Sequence, residues 1–174
     1  MSKAKMSKAK LVTGLFKTRA SAEAAVDAII KRGYTRDDIS VLMSDATKSK
    51  EFAIESGTRA GDGAAVGGAV GGVAGATLAA ILAVGTSLAL PGLGLVIAGP
   101  IVAALAGLGA GGAAGGLIGA LVGAGIPEHR AKVYETEIRG GGILIGVEAS
   151  SDKDDADKLE TLLGELGGEN VRQE

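Results

Sequence analysis

The sequence lacks cysteine and tryptophan altogether, and aromatic residues make up only 2% of its 174 residues. Without cysteine there is no disulfide framework, no thiolate nucleophile and no cysteine metal site. The four aromatic residues, Phe16, Tyr34, Phe52 and Tyr134, are too few for an aromatic belt at a membrane interface or for a row of base-stacking platforms. The formal net charge of -2 argues against a nucleic-acid binder that depends on general electrostatics.

The most informative absence is that of charge in the middle of the chain. The 65 residues from 63 to 127, here called the apolar block, contain no charged, His, Asn or Gln side chain. Thr77, Thr86 and Ser87 are its only polar side chains. A helix that is apolar on every side is not stable in water, so this block must be buried in lipid or among copies of itself.

Glycine is abundant in the apolar block and recurs at a spacing of four. Small residues four apart lie on one face of a helix and let two backbones approach closely. The spacing therefore predicts a glycine zipper, and its glycines are the predicted helix-packing or oligomer interface. They are Gly67, Gly71, Gly75, Gly107, Gly111, Gly115, Gly119 and Gly123.

The block is interrupted near its centre, where Pro91, Gly92 and Gly94 predict a turn. The arms on either side, about 64–90 and 95–124, are predicted to be helices. As helices they span roughly 40 Å each at about 1.5 Å per residue, which exceeds a bilayer core of about 30 Å. The apolar block is thus predicted to be a helical hairpin.

The segment before the block has mixed composition. Residues 11–16 predict a strand, and the following helix is predicted to start with Ser21 as its N-cap and to stop at Gly33. Residues 39–43 predict a second, mostly buried strand. Residues 44–61 are interpreted as a linker, with at most one helical turn around Phe52 and Ile54.

The segment after the block mirrors the first. We predict a polar helix over 128–139 that ends at Gly140–Gly142, a strand over 143–147, a helix capped by Ser151 or Asp152, and a short closing strand over 170–172. The expected fold is α+β, a ferredoxin-like split βαβ sheet with the glycine-zipper hairpin inserted at its midpoint. The predicted divisions are a basic tail (1–9), the first half of the sheet domain plus linker (10–61), the hairpin (62–127) and the second half (128–174).

The flanking segments resemble a known family. Gly14-Leu15-Phe16, Ala22, Ala25, Gly33 and Ile39–Leu42 are similar to the first half of the bacterial general stress protein (heat-induced stress protein) domain. Glu137–Val147 looks like the closing half of the same domain. The resemblance covers roughly half of the chain. It implies a ferredoxin-like core, often with an inserted glycine-zipper segment, and a link to stress responses, and it supplies no catalytic residues.

Three other patterns have a functional and a structural interpretation. Gly107-x-Gly109-x-x-Gly112 matches a dinucleotide fingerprint, but the four-residue glycine repeat runs through it, which favours helix packing. The acidic cluster of Asp152, Asp154, Asp155 and Asp157 favours a helix N-terminus over a cation site. His129 is the single histidine and is expected to be solvated. We therefore predict no catalytic residue, no metal site and no cofactor.

The function predicted from these features is that of a non-enzymatic, stress-associated protein. It would self-assemble through its glycine-zipper hairpin at or in a membrane, on the cytoplasmic side, with itself and lipid as partners and no nucleic acid. One alternative is a soluble homo-oligomer whose hairpins are buried between subunits. Another is a small-molecule-sensing ferredoxin-like module with a ligand edge shaped by Gly140–Gly142. Residue types alone leave the stoichiometry, any ligand and the kind of stress open.

Overall fold

A computed structural model describes residues 10–56, 78, 80–82, 88–90, 94–102, 116–149 and 153–173. Within these residues helices pack on both faces of one six-stranded antiparallel sheet, which confirms the predicted α+β class. The strands are β1 (Lys10–Phe16), β2 (Ile39–Ser44), β3 (Leu88–Leu90), β4 (Leu95–Ala98), β5 (Ile143–Ala149) and β6 (Glu169–Gln173). The helices are α1 (Arg19–Lys31), α2 (Asp45–Ser56), α3 (Gly116–Gly123), α4 (Glu128–Arg139) and α5 (Lys153–Glu165), and a 3-10 turn covers Arg36–Asp38.

The strand order is β3-β4-β2-β5-β1-β6, and every neighbouring pair is antiparallel. The central strand β5 pairs with both strands of the N-terminal segment, since Leu144 lies opposite Leu15 of β1 and Leu42 of β2. The two segments that flank the apolar block are therefore interleaved in one sheet. Neither segment can form this sheet without the other.

Two hydrophobic cores lie on opposite faces of the sheet. The first core contains Ile143, Ile145 and Val147 of β5, together with the buried faces of α1 and α5. The second core contains Leu144 of β5 and the buried faces of α3 and α4. Because both faces are covered, all six residues of β2 are buried, including the polar Ser40 and Ser44.

Helix α1 begins earlier than predicted. Its N-cap is Thr18, whose Oγ1 accepts a hydrogen bond from the Ser21 amide at 3.2 Å, so the prediction of Ser21 as N-cap is wrong. Both residues carry a hydroxyl group that suits an N-cap. The carbonyl of Thr18 also accepts the first helical bond, from Ala22, which a composition pattern cannot reveal.

Residues 45–56 form helix α2, so the prediction of a linker over 44–61 is wrong for this part. The helix follows β2 directly, and the buried Ser44 caps it by accepting a hydrogen bond from the Thr47 amide at 3.0 Å. The sequence of α2 has no clear apolar stripe. Helix α2 begins at a cap that the last residue of β2 supplies, and helical periodicity does not predict such a start.

The prediction of helical arms over 64–90 and 95–124 is wrong at the centre of the apolar block. Residues 88–90 and 95–98 are the paired strands β3 and β4, and β4 continues the sheet beside β2. A short apolar run fits a buried strand and a buried helix equally well by periodicity. Here the free edge of β2 decides, because it supplies backbone hydrogen-bond partners that a helix would leave unused. Helical structure is present at Leu78, at 80–82 and in α3.

The elements after the block agree with the predictions in type and order, while the predicted cap residues Ser151 and Asp152 lie outside the described residues. Helix α4 runs over Glu128–Arg139, β5 starts at Ile143, and α5 and β6 follow in the predicted order. Gly141 lies at a φ of +107°, and the amides of Gly141 and Gly142 bond back to the carbonyls of Ile138 and Glu137. This is the Schellman pattern of a helix end, which glycine permits because it has no Cβ.

Candidate functional site

Helix α3 is the part of the predicted glycine zipper that the structure describes as a helix. Its residues Leu117, Ala120 and Leu121 are buried, and both leucines belong to the second core. Its other face carries Gly119, Val122 and Gly123, which are partly or fully exposed. The two described zipper glycines therefore lie on the side of α3 that points away from the sheet.

This outward face has room for a partner. A Cβ added to Gly119 would meet no described atom within 4 Å, and Val122 is 43% exposed. Helix α3 carries no charged residue, so its outward face is apolar, and two of its three residues are glycines. Val133 of α4 is exposed to the same degree, 44%, but it lies in a helix with seven charged or His side chains.

Helix α4 holds α3 in place against the sheet. Ala131 and Tyr134 of α4 share the second core with Leu117 and Leu121 of α3, and the tight turn between the helices is closed by the Ile126 amide bonding to the Leu121 carbonyl at 3.0 Å. Tyr134 is fully buried, and its hydroxyl contacts strands β1 and β6. The outward face of α3 thus stands on a rigid base.

Most of the predicted interface residues lie outside the described residues. These are Gly67, Gly71, Gly75, Gly107, Gly111 and Gly115. The predicted turn falls in the connection between Leu90 and Leu95, which pair across it. Of its three predicted residues, Pro91 and Gly92 lie outside the described residues, and Gly94 has a φ of +63° with its carbonyl accepting the Asp45 amide at 2.7 Å.

The remaining sequence patterns do not converge on a chemical site. Gly107, Gly109 and Gly112 lie outside the described residues. In the acidic cluster, Asp155 accepts the Tyr34 hydroxyl and Asp157 accepts the Gln173 side-chain amide at 2.5 Å. Across the described ranges no group of three or more His, Asp or Glu side chains could hold a metal ion. His129 is exposed in the first turn of α4.

The structure contains a polar cavity that the sequence patterns predicted only in part. It has a volume of about 250 Å³ and lies where β1 and β2 end and β5 begins. Only its glycine wall was singled out by the sequence, as a possible ligand edge. The residues that line it are Lys17, Thr47, Lys50, Glu51, Glu137, Gly140, Gly141 and Gly142. The charged members come from three separate segments, so no local motif could have found them.

The cavity has one defined ion pair at its rim. Lys17 Nζ lies 2.9 Å from Glu169 Oε1, and both side chains are exposed. The hydrogen bond and the charge of Glu169 raise the pKa of Lys17 above its usual value, and the charge of Glu137 adds a smaller effect in the same direction. The Lys17 ammonium is therefore paired with Glu169, and the negative charge of Glu137 adds a weaker attraction.

Among the described residues, no helix combines the length and the apolar composition that a bilayer crossing requires. Comparisons with protein-family models, with curated proteins and with solved structures found no match. The outward face of α3 and the cavity are the two surfaces of the described residues that suggest a function. The likeness to the general stress protein domain stays a prediction.

Proposed function

We propose that this protein is a non-enzymatic, stress-associated protein that self-assembles through its glycine zipper, at or in a membrane. The stress association is what the resemblance of the flanking segments implies. The assembly surface is the outward face of α3, defined by Gly119, Val122 and Gly123, and continued along the chain by Gly107, Gly111 and Gly115.

The same proposal includes the finer fold. We infer that β1, α1, β2, β5, α5 and β6 make a ferredoxin-like split βαβ unit. The strand order β2-β5-β1-β6 and the packing of α1 and α5 in one core support this inference. Strands β3 and β4 then extend that sheet at its β2 edge.

One observation supports the assembly most directly: α3 buries its leucines and exposes its glycines. A helix that only packed on its own sheet would have no use for side-chain-free positions on its outer face, since each interior Gly costs about 1 kcal/mol relative to Ala. Small residues on an exposed apolar face allow a second helix to approach closely. A second copy of α3 presents the same surface, so the contact is self-complementary.

The positions of the apolar block that pack within the described sheet and helices bear on the choice between lipid and a second copy. Three described residues of the block belong to the first core: Leu78, Ile81 and Leu82. Three others belong to the second core: Leu95, Ile97 and Ile101. The longest apolar runs of the sequence outside these packed positions are 63–77 and 103–115. Each is shorter than the roughly 20 residues of a transmembrane helix. This favours the second candidate function, an assembly in which copies bury one another's apolar segments.

The test replaces Val122 by Lys and compares sedimentation velocity profiles of the full chain with and without detergent. We expect wild type to form a defined oligomer and Val122→Lys to shift to smaller species, because a buried unpaired ammonium is strongly unfavourable. Gly119→Leu tests the close approach, since a Cβ added at this position meets no described atom within 4 Å. Gly111→Leu with Gly115→Leu extends the test along the zipper.

The matched control is Val133→Lys, at a site of the same exposure on α4. It should sediment as wild type does. If Val122→Lys and Val133→Lys behave alike, or if wild type is a monomer in both conditions, the assembly proposal is wrong. Flotation with lipid vesicles separates the two settings: an oligomer that stays at the bottom of the gradient supports the soluble assembly and contradicts the membrane.

A further inference from the structure

The cavity at the end of the sheet is lined by charged side chains, most of which have no hydrogen bond or ion pair within the described residues. Lys50, Glu51 and Glu137 line it, and in the described part of the chain their side chains make no hydrogen bond or ion pair. Glu51 contributes only its backbone carbonyl, which accepts from the Arg19 guanidinium at 2.5 Å. Glu51 and Glu137 are half-buried, so both carboxylates give up part of their hydration. Only Glu137 gains a weak attraction, to the Lys17 ammonium that is already paired with Glu169.

The glycine wall of the cavity does not bind anions through its backbone. The amides of Gly140, Gly141 and Gly142 donate to the carbonyls of Thr136, Ile138 and Glu137 at 3.0, 3.1 and 2.8 Å. A phosphate or oxyanion nest requires free amides that point at the ligand. Recognition in this cavity must therefore come from the side chains of the opposite walls.

The charges in the cavity select the class of ligand. The lining contains two positive groups, Lys17 and Lys50, and two negative groups, Glu51 and Glu137, while Lys17 is also paired with Glu169 at the rim. A simple anion would face two carboxylates, and a simple cation would face two ammonium groups. An apolar ligand would strip water from all four charges without replacing it. A small molecule with one group of each sign satisfies both sets.

The volume of the cavity limits the size of the ligand. About 250 Å³ is below the range of about 300–1,000 Å³ that holds drug-sized ligands. We propose that this cavity is a binding site for a free amino acid, with its carboxylate on Lys50 and Lys17 and its ammonium on Glu137 and Glu51. The site is independent of the α3 surface, because it lies at the end of the sheet among β1, α2 and the α4–β5 loop.

The experiment measures binding of the twenty common amino acids to the purified full chain by isothermal titration calorimetry. For each amino acid that binds, the matching amide and the matching N-acetyl derivative are titrated, since each removes one charge. We expect at least one amino acid to bind at millimolar concentration or tighter, and both derivatives to bind at least about tenfold more weakly, because charged hydrogen bonds are lost. Binding of none, or equal binding of the derivatives, contradicts the proposal.

Two variants locate the site. Glu137→Gln and Lys50→Gln should each weaken the amino acid about tenfold or more by removing a charged partner. Glu135→Gln and Lys48→Gln are the matched controls, on the same two helices but outside the cavity lining, and should bind as wild type does. If Glu137→Gln and Lys50→Gln also bind as wild type does, the ligand sits elsewhere and the assignment is overturned. Sedimentation of each variant, unchanged from wild type, shows that the result is separate from assembly.

Discussion

The hydroxyl of Tyr134 lies 2.9 Å from Thr13 Oγ1, although the two residues are 121 positions apart and both are fully buried. The Tyr134 hydroxyl also donates to the Asn170 carbonyl at 3.0 Å and accepts from the Arg130 guanidinium at 2.9 Å. One hydroxyl thus joins α4 to β1 and β6. Among the described residues, Asn170 is the non-glycine residue with a positive φ, +51°. Its carbonyl accepts the hydrogen bond from the Tyr134 hydroxyl.

Replacing Tyr134 by Phe should destabilise the fold by about 1–3 kcal/mol, because the buried Thr13 hydroxyl loses its partner and the Asn170 carbonyl loses one of its two donors. The free energy of unfolding from urea titration measures this. In the double variant with Thr13→Val, both hydroxyls are absent, so the combined loss should be smaller than the sum of the single losses. Additive losses would show that the two hydroxyls do not interact.

Replacing Gly99 by Ala should destabilise the protein severely. Gly99 has a φ of +91°, and an added Cβ would lie 2.1 Å from the Ile39 carbonyl oxygen. Backbone strain of about 1–3 kcal/mol and overpacking of about 1–3 kcal/mol then act together. Gly94→Ala is the control, since its φ is also positive but its Cβ would meet no described atom within 4 Å. Equal losses of unfolding free energy for the two variants would refute the steric argument.

Replacing Ser40 by Ala should leave a buried amide without a partner. The Ile101 amide donates to Ser40 Oγ at 3.1 Å. This hydrogen bond connects the segment after β4 to strand β2. We expect a loss of about 1–3 kcal/mol in unfolding free energy and faster hydrogen exchange at Ile101. Ser49→Ala, at an exposed position of α2, should be neutral. Unchanged exchange at Ile101 in Ser40→Ala would count against this bond.

Two exposed ion pairs should give opposite pH dependences. Glu169 raises the pKa of Lys17 above 10.5, so its contribution is complete below that pH and is lost as the pH rises through the folded value. Lys132 lowers the pKa of Glu128 below 4.5, so its contribution is present above that pH and is lost as the pH falls through the folded value.

Lys17→Gln should therefore reduce the pH dependence of the unfolding free energy only at alkaline pH. Glu128→Gln should reduce it only at acidic pH. Urea titrations across both pH ranges measure this. Both effects should be small, because the four side chains are exposed and solvent screens them. A change in the same pH range in both variants would contradict the assigned directions.

Sequence periodicity was sufficient where an element is defined by its own residues. Helix α4 and strand β5 were predicted because one has a polar helical pattern that ends in three glycines, and the other is an unbroken apolar run. Helix α2 was missed, since its start depends on Ser44 at the end of β2. The cavity charges were missed as a group, because Lys17, Lys50 and Glu137 converge only through the antiparallel register of β1, β2 and β5.

The amino-acid sequence by itself predicts burial for most of residues 63–127, because no charged side chain is present there to interact with water. Tertiary structure alone decided how: Leu95–Ala98 became a strand since the edge of β2 offers backbone partners at Val41–Ser44. It also decided that Leu117 and Leu121 face the sheet while Gly119 and Gly123 face outward. Apolar composition specifies burial, whereas the direction of burial depends on contacts between residues far apart in the chain.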